Sequence, residues 1–317
     1  MKRVFTLFMA LLLAAGMLML TSCTGEGGSQ GNKPPANAET PPTAPPTAPP
    51  AAPSFDTTRP ISVVSREDGS GTRSAFTELF GIQSTESDGS KKDNTTREAI
   101  IADKTDIMMT NIASDPYAIG YVSLGSLNST VKAVEVNGVA ATADNVKNGS
   151  YVVQRPFIIA TNGTANGLAK DFIDFIMSAE GQAIVERKGY VAIVANAPVY
   201  DGGKPSGHIV IGGSSSVTPL MEVLREEYLK VNPNAGIDIQ MNDSSSGMSG
   251  TLNGTYDIGM ASRELKESEI SGGLSPIQIA LDGIAVIVNN DNPIGGLTKD
   301  QVKDIFTGAI TAWSEIQ

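Results

Sequence analysis

"SREDGSGTRSAF", residues 65 to 76, sets an arginine, two acids and a Gly-Ser-Gly-Thr run between an apolar strand and a helix. Upstream, "ISVVS" (61–65) is a short run rich in β-branched residues, the pattern of a buried strand. Downstream, "RSAFTELFG" spaces Phe76, Leu79 and Phe80 along one helical face and stops at Gly81. A glycine-rich turn feeding a helix start leaves backbone N–H groups unpaired, and the helix dipole adds partial positive charge at the same point. Such a turn cradles an anion. Gly and Ser also serve any strand-to-helix turn for shape alone, so the stretch gains weight only from others like it. A nucleotide P-loop is excluded, because GxxxxGK[ST] needs a lysine that does not follow here. Arg66 suits a tetrahedral oxyanion, since its planar fork donates two parallel hydrogen bonds. The expected ligand is a small inorganic anion.

The theme returns in the second half of the chain. After "VYDGGKPSG" (199–207) comes "HIVIGGSSSVTPLMEVLREEYLKVNP" (208–233). "IVIGG" reads as a strand and "SSSVTP" as a second polar turn, while Leu220, Val223, Leu224 and Leu229 mark one face of a helix that Asn-Pro ends. "IDIQMNDSSSGMSGTLNG" (237–254) repeats strand, serine cluster and short helix, and "DIGMASREL" (257–265) ends a third strand in Ser262 and Arg263. One serine cluster is ordinarily a helix cap. Several strands that all end in hydroxyls or arginines point instead to a parallel sheet whose C-terminal edges converge on a ligand. The fold class is α/β.

The chain opens with "MKRVFTLFMALLLAAGMLML", a charged start and apolar core with the length and flanks of a secretory signal over residues 1–22. "LTSC" (20–23) carries the single cysteine, which has no partner for an internal disulfide. The pattern resembles the lipobox of bacterial lipoproteins, which implies cleavage before Cys23, a lipid on its sulfur and a place on the outer face of the cell membrane. Residues 23–58 read as a tether: nine of the chain's 18 prolines fall between Pro34 and Pro53. Such a tract favours extended polyproline II and buries no core. The remainder, about 260 residues, is ample for two lobes. Without Lys2 and Arg3 the balance is 21 basic against 34 acidic residues, a net of −13. Nucleic acid is excluded as a partner, because counterion release needs a basic face.

Together, "VVSREDGSGTR", "AIGYVSLGSL", "FIDFIMSAEGQAIVERKGYV", "GGSSSVTPL", "DSSSGMSG", "DIGMASRELK", "IALDGIAVIVNNDNP" and "LTKDQVKDIFTGAITAWSEI" resemble the phosphate-binding lipoproteins of high-affinity phosphate ABC transporters. The resemblance covers nearly all of 59–317. It implies a two-lobed periplasmic-binding-protein-like clamp of type II, with permease and ATPase subunits as partners and no cofactor. The block order differs from the family's: the blocks at 207–316 come first there and those at 59–200 follow. A circular permutation accounts for this, with "YDGGKPSG" joining the old ends; fragments of a tandem duplication are the alternative. Two crossing strands are assigned to "DGIAVIVNN" (282–290) and "RPFIIATNG" (155–163). One lobe is then continuous over 158–283 and the other is assembled from 59–157 plus 284–317. A domain-swapped dimer competes with the single clamp.

By motif correspondence the resemblance assigns Ser216, Val217, Thr218, Ser245, Ser262 and Arg263 to one side of the anion, and Arg66, Ser70, Gly71 and Thr72 to the other. Val217 contributes only its backbone in this reading, so its side chain is expected to be replaceable. Selecting phosphate over sulfate calls for an acceptor for the P–O–H proton. Some relatives carry an aspartate after the third-turn serine, where this chain has Arg263. Asp282 and Asp68 are the candidates, with Asp68 alternatively orienting Arg66.

Other classes find little support. A serine hydrolase needs a base, and the single histidine, His208, opens a strand beside the connector. Ser129 and Lys132 match SxxK without SDN or KTG. No His/Cys cluster has metal-ligand spacing. Trp313 and the phenylalanines read as core. Sensing of phosphate or another oxyanion, by the same fold, stays open beside transport.

Overall fold

The computed structural model describes residues 55–87 and 90–316; the signal sequence, Cys23 and the proline tract lie outside the described residues. Nine strands form the main sheet: β1 (Ser62–Arg66), β2 (Ile100–Ala102), β3 (Ala118–Ser123), β4 (Lys132–Ala133), β5 (Gln154–Asn162), β6 (Gly207–Ser214), β7 (Ala235–Asn242), β8 (Ile258–Ala261) and β9 (Leu274–Val288). Their order is β7-β6-β8-β5-β9-β3-β1-β2, with β4 also on β9. Parallel ladders join β6 to β7 and β8, and β1 to β2 and β3. Parallel strands need crossover helices. These are α1 (Gly71–Leu79), α2 (Thr105–Ser114), α3 (Gly167–Ile176), α4 (Ala179–Arg187), α5 (Thr218–Val231), α6 (Ser244–Leu252) and α7 (Lys299–Thr307).

The 15-residue β9 organises the molecule. It pairs antiparallel with β5 from Leu274 to Gly283, then with β3 from Ile284 to Val288. The partner changes between Gly283 and Ile284, inside the stretch read as crossing. Two separate hydrophobic cores lie to either side. In one, Phe76 stacks on Tyr121 with ring centroids 3.9 Å apart, and Phe306 closes on Phe76 edge-on at 4.7 Å. The other gathers Ile211, Leu220, Leu224, Phe172 and Tyr228 from β6, α3 and α5. Each such side chain contributes about 1.5–3 kcal/mol on full burial. Trp313 belongs to the first core, 1% exposed. In α5 the buried residue at the end of the apolar face is Tyr228, while Leu229 is half-buried.

Residues 55–58, read as the end of the tether, belong to the folded body. Phe55 packs on Tyr117 and Trp313, and Ser314 N–H donates to the Thr57 carbonyl at 2.8 Å. The described ends of the chain pair with each other: Ile61 N–H donates to Thr311 O at 2.8 Å, and Pro60 bridges to Ala312. The connector is also held. Asp171 Oδ2 accepts from Tyr200 and Tyr228 hydroxyls at 2.5 and 2.6 Å, its Oδ1 accepts from Gly203 N–H at 3.0 Å, and Asn232 donates to Pro205 O. No helix among the described residues is long and apolar enough to cross a membrane.

Candidate functional site

Five turns that follow the C-terminal ends of β1, β2, β6, β7 and β8 converge. Ser70 caps α1, its Oγ accepting from Arg73 N–H, and Asp243 caps α6, its Oδ1 accepting from Ser246 N–H at 2.8 Å. The starts of α2 and α5 differ, because neither Lys104 nor Val217 offers a side-chain cap. Both helices therefore open onto the turns with uncapped N–H groups and the positive end of their dipoles.

At the centre lie hydroxyls from both cores. Thr72 and Ser216 share a hydrogen bond of 2.8 Å, and Thr105 Oγ1 lies 3.2 Å from Ser215 Oγ and 3.3 Å from Ser216 Oγ. Ser214 Oγ donates to Ser262 Oγ at 2.9 Å, and Ser262 N–H donates to Ser244 Oγ at 3.1 Å. Gly71 makes the close approach possible: a Cβ there would stand 2.4 Å from Ser244 Oγ and 2.7 Å from Ser262 Oγ. Arg66, 2% exposed, reaches the same place, with Nη2 on Ser215 Oγ at 3.0 Å and Nη1 on Thr105 Oγ1 at 3.3 Å. Its orientation comes from Glu67, which accepts from Nε and Nη2 at 2.7 Å each. Tyr121 steadies the end of β1 by contacting Ser65 Oγ and accepting from Arg66 N–H, and burial pushes its phenol up to about 12.

Of the residues singled out from sequence, the structure brings together Arg66, Gly71, Thr72, Ser216 and Ser262. Ser70 is spent on capping, and Thr218 Oγ1 donates to Ser214 O at 3.0 Å. Ser245 lies at the edge, accepting from Arg263; the fully buried serine of that turn is Ser244. Arg263 reaches only the Ser245 hydroxyl at the edge and makes no hydrogen bond to the central hydroxyls, because Glu269 takes both of its Nη atoms at 2.8 and 2.9 Å. Burial raises the Glu269 carboxyl, but Arg263 and Lys266 outweigh it and hold the group below its ordinary value. Asp68 is a correction: its side chain is fully exposed and takes Arg73, so it neither faces the cluster nor orients Arg66. Val217 is another, since its side chain is 0% exposed in the second core and so is not freely replaceable. Thr105, Ser214, Ser215 and Ser244 join the cluster without a signal in the sequence that singles them out. The three serines sit in runs whose register a sequence does not fix, and Thr105 enters only because β2 pairs with β1.

Asp282 lies beneath the cluster, 1% exposed, opposite Arg155 in the β5–β9 ladder. Its Oδ1 accepts from Ser123 Oγ at 2.9 Å and Leu124 N–H at 3.2 Å, and Arg155 Nε donates to Oδ2 at 3.0 Å. These contacts make Asp282 the counterion of Arg155. Burial pushes its carboxyl up to about 6 against the pull of Arg155.

A family model described as a PBP superfamily domain matches residues 55–180 and 198–317. The chain is 51% identical over 257 residues to the phosphate-binding protein PstS 2 of Streptococcus agalactiae, covering 81% of this chain and 87% of that protein. This chain belongs to the PstS phosphate-binding protein family. A crystal structure titled as a phosphate ABC transporter, phosphate-binding protein from Streptococcus pneumoniae TIGR4 aligns with a TM-score of 0.66 at 43% identity, over 82% of this chain and 100% of that one. PstS of Bacillus subtilis is 36% identical over 115 residues, 36% of this chain and 38% of that protein. The fold is a two-lobed α/β clamp, and the two halves of β9 enter separate hydrophobic cores. The streptococcal PstS 2 match runs through both halves in the order found here, so that order is not peculiar to this chain.

Proposed function

We propose that this chain binds inorganic phosphate outside the cell membrane and delivers it to the permease and ATPase subunits of an ABC transporter. The observation that carries the reading is the buried meeting of Arg66 with Thr72, Thr105, Ser215 and Ser216 at two uncapped helix starts. Hydroxyls and N–H groups replace the hydration shell of the anion, and Arg66 balances its charge without a metal. The lobes, 59–157 plus 284–317 and 158–283, close on it by hinge motion and strengthen each bond by excluding water. Serine and threonine hydroxyls accept as well as donate, so the cluster itself can take the P–O–H proton. A lipid on Cys23 anchors the protein at the membrane.

Isothermal titration of the chain from residue 23 onward, carrying Cys23→Ser and kept in chelator, should show saturable binding of one phosphate and far weaker binding of sulfate. Heat that appears only with added divalent ion defeats the metal-free site. Equal affinity for sulfate would make the protein a general oxyanion binder.

In cells, Cys23→Ser should move the protein from the membrane fraction to the medium or periplasm. Retention of the variant on membranes would show another anchor.

A further inference from the structure

We propose that Arg155 is a positioning residue of the anion site: held by Asp282, it fixes the Ser262 turn through that residue's backbone carbonyl. Arg155 lies in β5, 2% exposed, and its Nη1 donates to Ser262 O at 3.2 Å. The rest of the fork faces Asp282, with Nε and Nη2 each 3.0 Å from Oδ2. Asp282 in turn takes Ser123 and Leu124, which lie at the end of β3 in the other lobe. One guanidinium thus ties both crossing strands and the rim of the opposite lobe to a single peptide group.

The residue that carries this carbonyl sits inside the hydroxyl cluster. The Ser262 N–H, in the preceding peptide unit, donates to Ser244 Oγ and the Ser262 Oγ accepts from Ser214 Oγ, so a shift of the Ser262 backbone displaces hydroxyls on two other turns. A buried ion pair is a poor device for holding two strands together, because desolvating the charges offsets most of their attraction and an apolar pair serves as well. Nor is the neighbourhood built for saturation: Gln154 Oε1 is buried with no hydrogen-bond partner, and Arg155 Nη2 meets Asp282 as an ion-pair contact without a well-aligned hydrogen bond. What an apolar pair cannot supply is the third contact, from Nη1 to the Ser262 carbonyl. The fork geometry is specific to arginine, since lysine donates from one point and cannot span Asp282 and Ser262 together.

The inference rests on the phosphate-binding reading, and its test separates the two. In the chain from residue 23 onward with Cys23→Ser, Arg155→Met and Arg155→Lys should both weaken phosphate binding about tenfold, the effect of losing a buried charge-assisted hydrogen bond. Lysine should give no more than a slight rescue. In phosphate-free protein, hydrogen exchange at the Ser262 amide should rise about tenfold in both variants while α3 and α4 keep their protection. Parent protein that binds no phosphate would sink the binding reading, and the Ser262 amide would still decide the role of Arg155. A folded Arg155→Met protein with parental affinity and parental exchange at Ser262 overturns the proposal. Should Arg155→Met fail to fold, Ser123→Ala loosens Asp282 by one hydrogen bond; a few-fold loss of affinity with faster Ser262 exchange supports the proposal, and no change in either overturns it.

Discussion

At the scale of single residues, Arg66 and Asp282 show how a buried charge is held. Arg66 is gripped by Glu67 through Nε and Nη2, which leaves Nη1 and the outer edge of Nη2 for Thr105 and Ser215. Removing one partner of a buried charge-assisted contact costs about 2–5 kcal/mol, so Arg66→Ala should weaken phosphate binding at least about tenfold in a protein that stays folded. Unchanged affinity in titration would reduce the DGSGT loop to a turn. Gly71→Ala should be as damaging by another route, because the new methyl would collide with Ser244 and Ser262. Asp282 makes a pH prediction. Its folded carboxyl titrates at about 6, and an unfolded one at about 3.9. Between these values the folded state keeps a proton that the unfolded state has lost, so stability from this group is full at the low end and falls as pH rises through about 6. The groups facing Asp282 are Arg155, Ser123, Tyr190 and Tyr151, with Arg66 acting on Arg155. Asp282→Asn should remove that slope. Melting temperatures of parent and variant that run parallel between pH 4 and 7 (a window of about three units around these values) would show an ordinary carboxyl.

At the scale of elements, what was legible in the chain was local. "ISVVS", "IVIGG" and the serine turns announce strand, turn and helix within a dozen residues, because period, branching and capping chemistry are short-range. Thr105 and Arg155 were not legible as site residues. Thr105 reaches the hydroxyls only because β2 pairs with β1 across an intervening helix, and Arg155 does so only because β5 lies against β9. Even within a legible turn, register is settled by packing. In "SSSVTP" the α5 start turns Val217 into the core and Ser215 and Ser216 toward Arg66 and Thr72. The expectation that Val217 is replaceable fails for this reason. Val217→Ala should cost about 2 kcal/mol of stability, the value of a buried valine. Chemical denaturation at unchanged slope checks this, and a loss under about 0.5 kcal/mol would mean that the site collapses around the missing methyls.

At the scale of the whole molecule, the open question is how a family clamp is threaded through its blocks in this order. A permuted single clamp needs the segments around 57–61 and 311–314 to lie side by side, and the Ile61–Thr311 and Ser314–Thr57 hydrogen bonds bring them together. It also needs the new junction to lie quietly on one lobe. Asp171, Tyr200, Tyr228 and Asn232 hold the connector there, which disfavours a swapped dimer, since swapping requires the hinge segment to extend. The segment Ile284–Val288 is the second half of β9 with no loop before it, so it reaches its lobe as the continuation of a strand already seated in the other. The chain should therefore be a monomer binding one phosphate, and light scattering combined with a ligand count tests this. An obligate dimer would defeat it. The stronger test exchanges the two blocks: joining the C-terminal end to Phe55 through a short glycine linker and reopening the chain at the exposed Gly203. Loop-closure entropy rises slowly with length, so the rejoined protein should keep phosphate affinity within about threefold and melt within a few degrees of the parent. Loss of binding in a folded, monomeric product would mean that the present order sets the geometry of the site and is more than an alternative route through the same clamp.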